Sequence, residues 1–158
     1  MRLRSATPDD AGAIARIYNQ GIADRIATFE TRPRSTEEIL SWFDGLHPTV
    51  VVEEAGAVLG FASTSAYRSR ECYSRNAEFS VYVERSARGH GVGRAALVGL
   101  IDAARRVGLH KLVSRVFPEN LPSIRLLTSL GFRQVGVYAK HGQLDGTWRD
   151  VVIVEILL

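Results

Sequence analysis

Chemistry is concentrated in one run, Val81-Tyr82-Val83-Glu84-Arg85-Ser86-Ala87-Arg88-Gly89-His90-Gly91-Val92-Gly93-Arg94, where an apolar strand enters a glycine-rich turn and the turn opens a long helical pattern. Such a turn aims successive backbone N–H groups at one point at the start of a helix, where unpaired donors and the helix dipole both favour a phosphate. Glycine at 89, 91 and 93 lets the backbone approach an anion without a Cβ in the way, and Arg88 and Arg94 bracket it with fixed positive charge. With His90 and Val92 between them, these residues predict a pyrophosphate site; a plain left-handed turn joining strand to helix is the alternative. Two familiar phosphate loops do not fit. Arg94-Ala95 stands where a nucleoside triphosphatase loop needs Lys-Ser or Lys-Thr, and Lys111-Leu112-Val113-Ser114-Arg115 lacks the acid that a dinucleotide fingerprint places there.

The strand ahead of the turn carries a second candidate. Alternation separates Ala77, Phe79, Val81 and Val83 from Glu78, Ser80 and Tyr82. In a central strand covered on both faces, a polar row lines a cleft rather than bulk water, which makes Glu78 a candidate general base, acting directly or through water. A solvated or ion-paired strand carboxylate fits the same position. His141, in Lys140-His141-Gly142, is a proton receiver or a surface turn residue. His47, His90 and His110 fall in predicted loops without metal-ligand spacing, and the lone Cys72 has no partner for a disulfide or a metal site, so no metal is predicted.

Positioning these groups requires alternating strands and helices. A strand at 2–5 precedes a helix started by Thr7-Pro8-Asp9-Asp10 and running to about Gln20, and the capping box Ser35-Thr36-Glu37-Glu38 starts a second that ends near Gly45. Strands at 49–53 and 58–65 form a hairpin across Glu54-Ala55-Gly56. Then come the strand at 77–83, a helix at 93–107 stopped by Gly108, a strand at 111–117, a helix at 122–130 closed by Gly131, and strands at 133–140 and 151–157. The order predicts an α/β fold with a mixed sheet in a single domain, residues 1–158. No stretch is apolar and long enough for a signal peptide or a bilayer span, so no membrane partner and a cytoplasmic location are expected. The net charge of +3 comes almost entirely from arginine, since Lys111 and Lys140 are the only lysines. Those arginines are scattered without an aromatic-interleaved run, which argues against a nucleic-acid partner.

Arg88-x-x-Gly91-x-Gly93 directly after a Val-x-Val strand resembles motif A of the GNAT family of N-acetyltransferases, whose glycine turn holds the pyrophosphate of acetyl-CoA. The segment Asn120-Leu121-Pro122-Ser123 through Ser129-Leu130-Gly131-Phe132 resembles the family's motif B, with an asparagine that contacts the pantetheine arm or, on its residues alone, caps a helix. Tyr18-Asn19-Gln20-Gly21 with Thr28-Phe29-Glu30-Thr31, Ser80-Val81-Tyr82-Val83, and Gly142-x-Leu144-Asp145-Gly146-x-Trp148-x-Asp150 together resemble the phosphinothricin, arsinothricin and methionine sulfoximine or sulfone N-acetyltransferases. The likeness spans essentially the whole chain.

The resemblance implies a mixed sheet of about seven strands flanked by about four helices, with a splayed strand pair that receives acetyl-CoA. Its cofactor contacts would be Val81, Tyr82, Val83, Arg88, Gly89, His90, Gly91, Val92, Gly93, Arg94, Asn120 and Ser129. Acetyl transfer needs a neutral amine, a donor for the developing oxyanion and a sink for the amine's proton, a role assigned to Glu78. Arg68, Arg70 and Arg75 precede the Glu78 strand at the end where an acceptor enters. The first two read as solvated; Arg75 is expected to bind the acceptor's oxyanion, with Phe29 and Glu30 closing the opposite wall of an arginine-lined groove. The expected acceptor is the α-amine of a small anionic amino acid or glutamate analogue, and the expected role detoxification or resistance. A protein amine, or a non-catalytic CoA- or nucleotide-binding module, are the alternatives. Leu127 stands where many relatives carry tyrosine or histidine as general acid, which leaves Tyr82, Tyr138 or no residue in that role. Trp42 and Trp148 read as packing residues, with Trp148 at the subunit contact of an expected homodimer.

Overall fold

The computed structural model describes all residues, Met1–Leu158. Seven strands and four helices follow one another as β1 (Arg2–Ser5), α1 (Ala11–Asp24), α2 (Thr36–Leu40), β2 (Thr49–Glu54), β3 (Ala57–Ala66), β4 (Asn76–Val83), α3 (Val92–Arg106), β5 (Lys111–Val116), α4 (Leu121–Ser129), β6 (Arg133–Leu144) and β7 (Thr147–Leu157). They form one sheet in the order β1-β2-β3-β4-β5-β7-β6, antiparallel except where β4 runs parallel to β5. Helices cover both faces. Leu97, Leu100 and Ala104 of α3 pack with Phe79, Leu112 and Val152 on one side; Ile14 and Ile17 of α1 and Ile39 of α2 pack with Val51 and Phe61 on the other. Burial on two faces explains why β2 reads as a near-continuous run of valines.

The main departures from expectation fall at three places. α1 continues past Gln20 to Asp24 because Gly21 does not end it: a Cβ at 21 would lie 2.6 Å from the Tyr82 ring, so this glycine admits an aromatic side chain to the helix surface. The stop comes at Arg25, which takes the left-handed conformation. α2 keeps its capping box, with Glu38 N–H donating to Ser35 Oγ at 3.2 Å, but ends at Leu40. After it, the Asp44 carboxylate accepts the N–H groups of Leu46 and His47, both at 2.8 Å, and folds a turn where a last helical turn was expected. β6 and β7 are each longer than predicted. Asp145 and Gly146 both have positive φ and join Leu144 to Thr147 as a two-residue hairpin, so the paired strands run on past the end of β5.

Candidate active site

Backbone pairing between β4 and β5 stops at Glu78↔Val113. One residue on, the Ser114 hydroxyl donates to the Phe79 carbonyl at 2.9 Å, and beyond it the strands separate. The Glu84 N–H donates toward β3, to the Leu59 carbonyl at 2.7 Å, while the Phe79 carbonyl faces β5. Strand alternation therefore turns the main-chain groups of Val81 and Val83 into the opening between the strands. This is the expected splayed pair; Arg88 Nε donates to the Val83 carbonyl at 3.3 Å, and the rest of this edge is open to pairing with an extended amide-bearing chain.

At one end of that edge lies the glycine turn. Gly89 and Gly91 have φ of +80° and +82°, and a Cβ at either would meet nothing within 4 Å, so glycine is needed there for backbone conformation. Gly93 differs: its Cβ would touch Leu126 and Val83 at ordinary distances. Gly91 caps α3 without any side-chain hydrogen bond, which leaves the amides of the first turn, Val92, Gly93 and Arg94, for a ligand. Arg94 donates to Ser129 Oγ at 2.9 Å and ties the turn to α4. Arg88 reaches Asp24 Oδ2 at 2.8 Å and Arg85 reaches Oδ1 at 2.7 Å, and the two guanidiniums hold the Asp24 carboxyl below the usual carboxylate range. His90 is exposed, its ring nitrogen 3.3 Å from the Ala87 carbonyl.

Glu78 sits at the parting point, its Oε1 paired with Arg115 at 3.1 Å. Both line a cleft of about 350 Å³ with Phe29, Glu30, Asn120 and Leu127. Asn120 caps α4 as expected, its Oδ1 accepting the Ser123 N–H, while its Nδ2 donates to the Ile26 carbonyl, each at 3.4 Å. That second bond fastens the segment after α1 to α4. Phe29 meets Phe117 edge-on at 4.9 Å and fills the space a side chain at Gly142 would need. Glu30 is held by Arg34 at 2.9 Å. Tyr82 also lines the cleft, but its ring stacks on Phe61 and abuts Tyr18, and burial raises its hydroxyl far above neutrality. Leu127 is buried and supplies no proton.

Other expected residues lie elsewhere. Arg75 donates through Nε to the Gly108 carbonyl at 2.8 Å and does not line the cleft; Arg68 lies over the Tyr67 ring. The groove is not arginine-lined. Its one arginine, Arg115, is already paired, because the β4–β5 register brings it beside Glu78. His141 and Tyr138, rings 4.7 Å apart on the exposed bulge of β6, are outside it as well. Trp42 packs between Tyr18 and Phe61, but Trp148 is 55% exposed because it lies on the part of β7 beyond β5. No group of three or more His, Cys, Asp or Glu side chains is placed to hold a metal ion, and no helix is long and apolar enough to cross a membrane.

Sheet order, splayed strands and uncapped turn define an acyl-CoA-dependent transferase fold, and residues 1–133 match the family described as acetyltransferase (GNAT) domain. The chain belongs to the GNAT family of acetyl-CoA-dependent N-acetyltransferases. It is 36% identical to an L-methionine sulfoximine/L-methionine sulfone acetyltransferase of Salmonella typhimurium, over 100% of this chain and 95% of that protein. It is 31% identical to a phosphinothricin N-acetyltransferase of Streptomyces coelicolor, over 98% and 95%. A solved Salmonella typhimurium acetyltransferase with its cofactor acetyl-CoA superposes with a TM-score of 0.95 at 36% identity, over 100% of this chain and 94% of that one.

Proposed function

We propose that this enzyme acetylates the α-amine of a small amino acid of the glutamate-analogue type, such as methionine sulfoximine, methionine sulfone, phosphinothricin or arsinothricin, and so detoxifies it in the cytoplasm. Acetyl-CoA supplies the activated acetyl group. The α3 N-terminus and Arg94 receive its pyrophosphate, the free edge at Val81 and Val83 pairs with its amide-bearing arm, and Asn120 flanks that arm. Glu78 takes the proton of the incoming amine. The observation that carries this reading is the coincidence, at one break in β4–β5 pairing, of a carboxylate, an unpaired strand edge and an uncapped helix start. Among known proteins, the names of relatives that align along nearly the whole chain support the acceptor class. Arg115 would exchange Glu78 for the acceptor's carboxylate, and Phe29 would pack on its aliphatic part. The exposed edge strand β6, with Val137 and Tyr138 uncovered, and the exposed Trp148 farther along the hairpin on β7 support a homodimer.

The test is a panel of amines incubated with acetyl-CoA, with free thiol followed over time and product mass confirmed. The named amino acids should turn over fastest. A preference for polyamines or for peptide N-termini would remove the acceptor assignment and leave the acetyltransferase.

A further inference from the structure

A second cavity, of about 570 Å³, shares Tyr18, Glu30, Glu78 and Ser80 with the cleft and continues beneath α2 to Asp44 and His47. Its floor is a row of hydroxyls. Ser65 lies directly opposite Glu78, and Ser80 lies opposite Ser63, which in turn lies opposite Thr49. Directly paired residues point to the same face, so Ser80 and Ser63 carry hydroxyls across two strands of the cavity floor, with the buried Thr49 next in line on β2. His47 stands two residues before Thr49. Its Nδ1 lies 2.6 Å from Asp44 Oδ2, and its side chain is 16% exposed, between the cavity and the surface.

Asp44 is fixed in turn by the N–H groups of Leu46 and His47. Burial opposes its ionisation, but these bonds and the His47 ring hold its carboxyl down at about 2. It is thus a permanent acceptor near neutral pH, which puts the Nδ1 proton of a neutral His47 toward Asp44 and leaves Nε2 as the basic nitrogen. The titratable or charged groups facing this cavity are Tyr18 of α1, Glu30 and Arg34 of the following segment, Glu38 of α2, Asp44, and Glu78 of β4. Arg34 is already engaged by Glu30 and Glu38. A polar cavity of this size holds water.

We propose that His47, oriented by Asp44, is a relay residue that carries the product proton from Glu78 to solvent along this hydroxyl-floored cavity. The balance of the reaction requires that one proton leave the site. An ammonium group loses two protons as its nitrogen bonds to the acetyl carbon and the carbon–sulfur bond breaks; the departing thiolate takes one, and the other leaves the protein. Glu78 must shed it before the next turnover, and imidazole is a side chain that can carry a proton on either ring nitrogen.

The inference rests on Glu78 as first proton acceptor, and three variants separate the two ideas. His47→Asn keeps a donor for Asp44 but no base. Its kcat should fall about tenfold in dilute buffer, with the KM of acetyl-CoA unchanged, and should recover as imidazole buffer is made more concentrated, the behaviour of a lost proton carrier. His47→Gln provides the same measurement should the asparagine variant unfold on heating at a lower temperature than the assay allows. A kcat equal to the parent's in every buffer, or a loss that imidazole does not restore, overturns the relay. Glu78→Gln in the same buffers tests the premise: parental turnover in that variant removes Glu78 as base, whereas its loss beside an unaffected His47→Asn removes His47 alone.

Discussion

The role proposed for Glu78 follows from its position. An ion-paired strand carboxylate is ordinary, but this one stands at the last backbone pair between two parallel strands, beyond which the residues of β4 pair only with β3. Glu78→Gln should retain acetyl-CoA binding by calorimetry and lower turnover by about a hundredfold, the usual scale for a missing general base. Arg115 should matter to the acceptor. Arg115→Ala is expected to raise the acceptor's KM by about tenfold or more, as a charged hydrogen bond of about 1.5 to 3 kcal/mol implies, while Arg75→Ala leaves it unchanged. That Arg115 rather than Arg75 lines the cleft marks a limit of sequence reasoning. Arg75 is near Glu78 along the chain, so it invites assignment; Arg115 is 37 residues away in sequence and arrives only through the parallel register. Strand alternation, by contrast, identified Glu78 and Ser80 correctly as facing the cleft, because a period of two survives without knowledge of the neighbours.

At the level of elements, the glycine turn and the β6–β7 hairpin do different work with the same residue type. Gly91 supplies a left-handed cap to α3 at the point where its dipole is positive. Gly91→Asp should strain the turn and place a carboxylate against an incoming pyrophosphate, so acetyl-CoA affinity should be lost in a variant whose circular dichroism is unaltered. Gly142 supplies space. In Gly142→Ala the new Cβ would come within 2.9 Å of Phe29 Cζ, and displacing that ring should raise the acceptor's KM several-fold while sparing that of acetyl-CoA. Capping chemistry made the starts of α2 and α4 legible, since Ser35 and Asn120 announce them locally. The ends of α1 and α2 were not, because Gly21 answers to Tyr82 in another strand and Asp44 diverts the chain by its own side chain. The extended hairpin was legible in principle: Asp145-Gly146 is a strong two-residue turn signal, hidden by treating 142–150 as a recognition motif.

In the whole molecule, polar contacts fasten the cofactor turn to α1. Glu84 accepts from the Ser86 hydroxyl and the Gln20 amide, and these bonds bring its carboxyl from an ordinary 4.5 to about 2. A carboxylate whose folded value is depressed stabilises fully above its unfolded value and loses that contribution as pH falls through the folded one. Thermal midpoints should therefore decline as pH drops from about 4.5 toward about 2, with Asp44 adding to the same limb, and Glu84→Gln should flatten it. In the proposed reading donor and acceptor would approach the break in the sheet from separate structures. The glycine turn and α3 would serve the donor alone, whereas residues 25–30 would wall the acceptor; that segment is held at three discrete points, by Asp145, by Asn120 and by the pocket above Gly142. Specificity in this scaffold is accordingly modular: grafting that short segment from another member, together with the tip of its hairpin, should transplant a taste for a different amine while the acetyl-donor half runs unmodified.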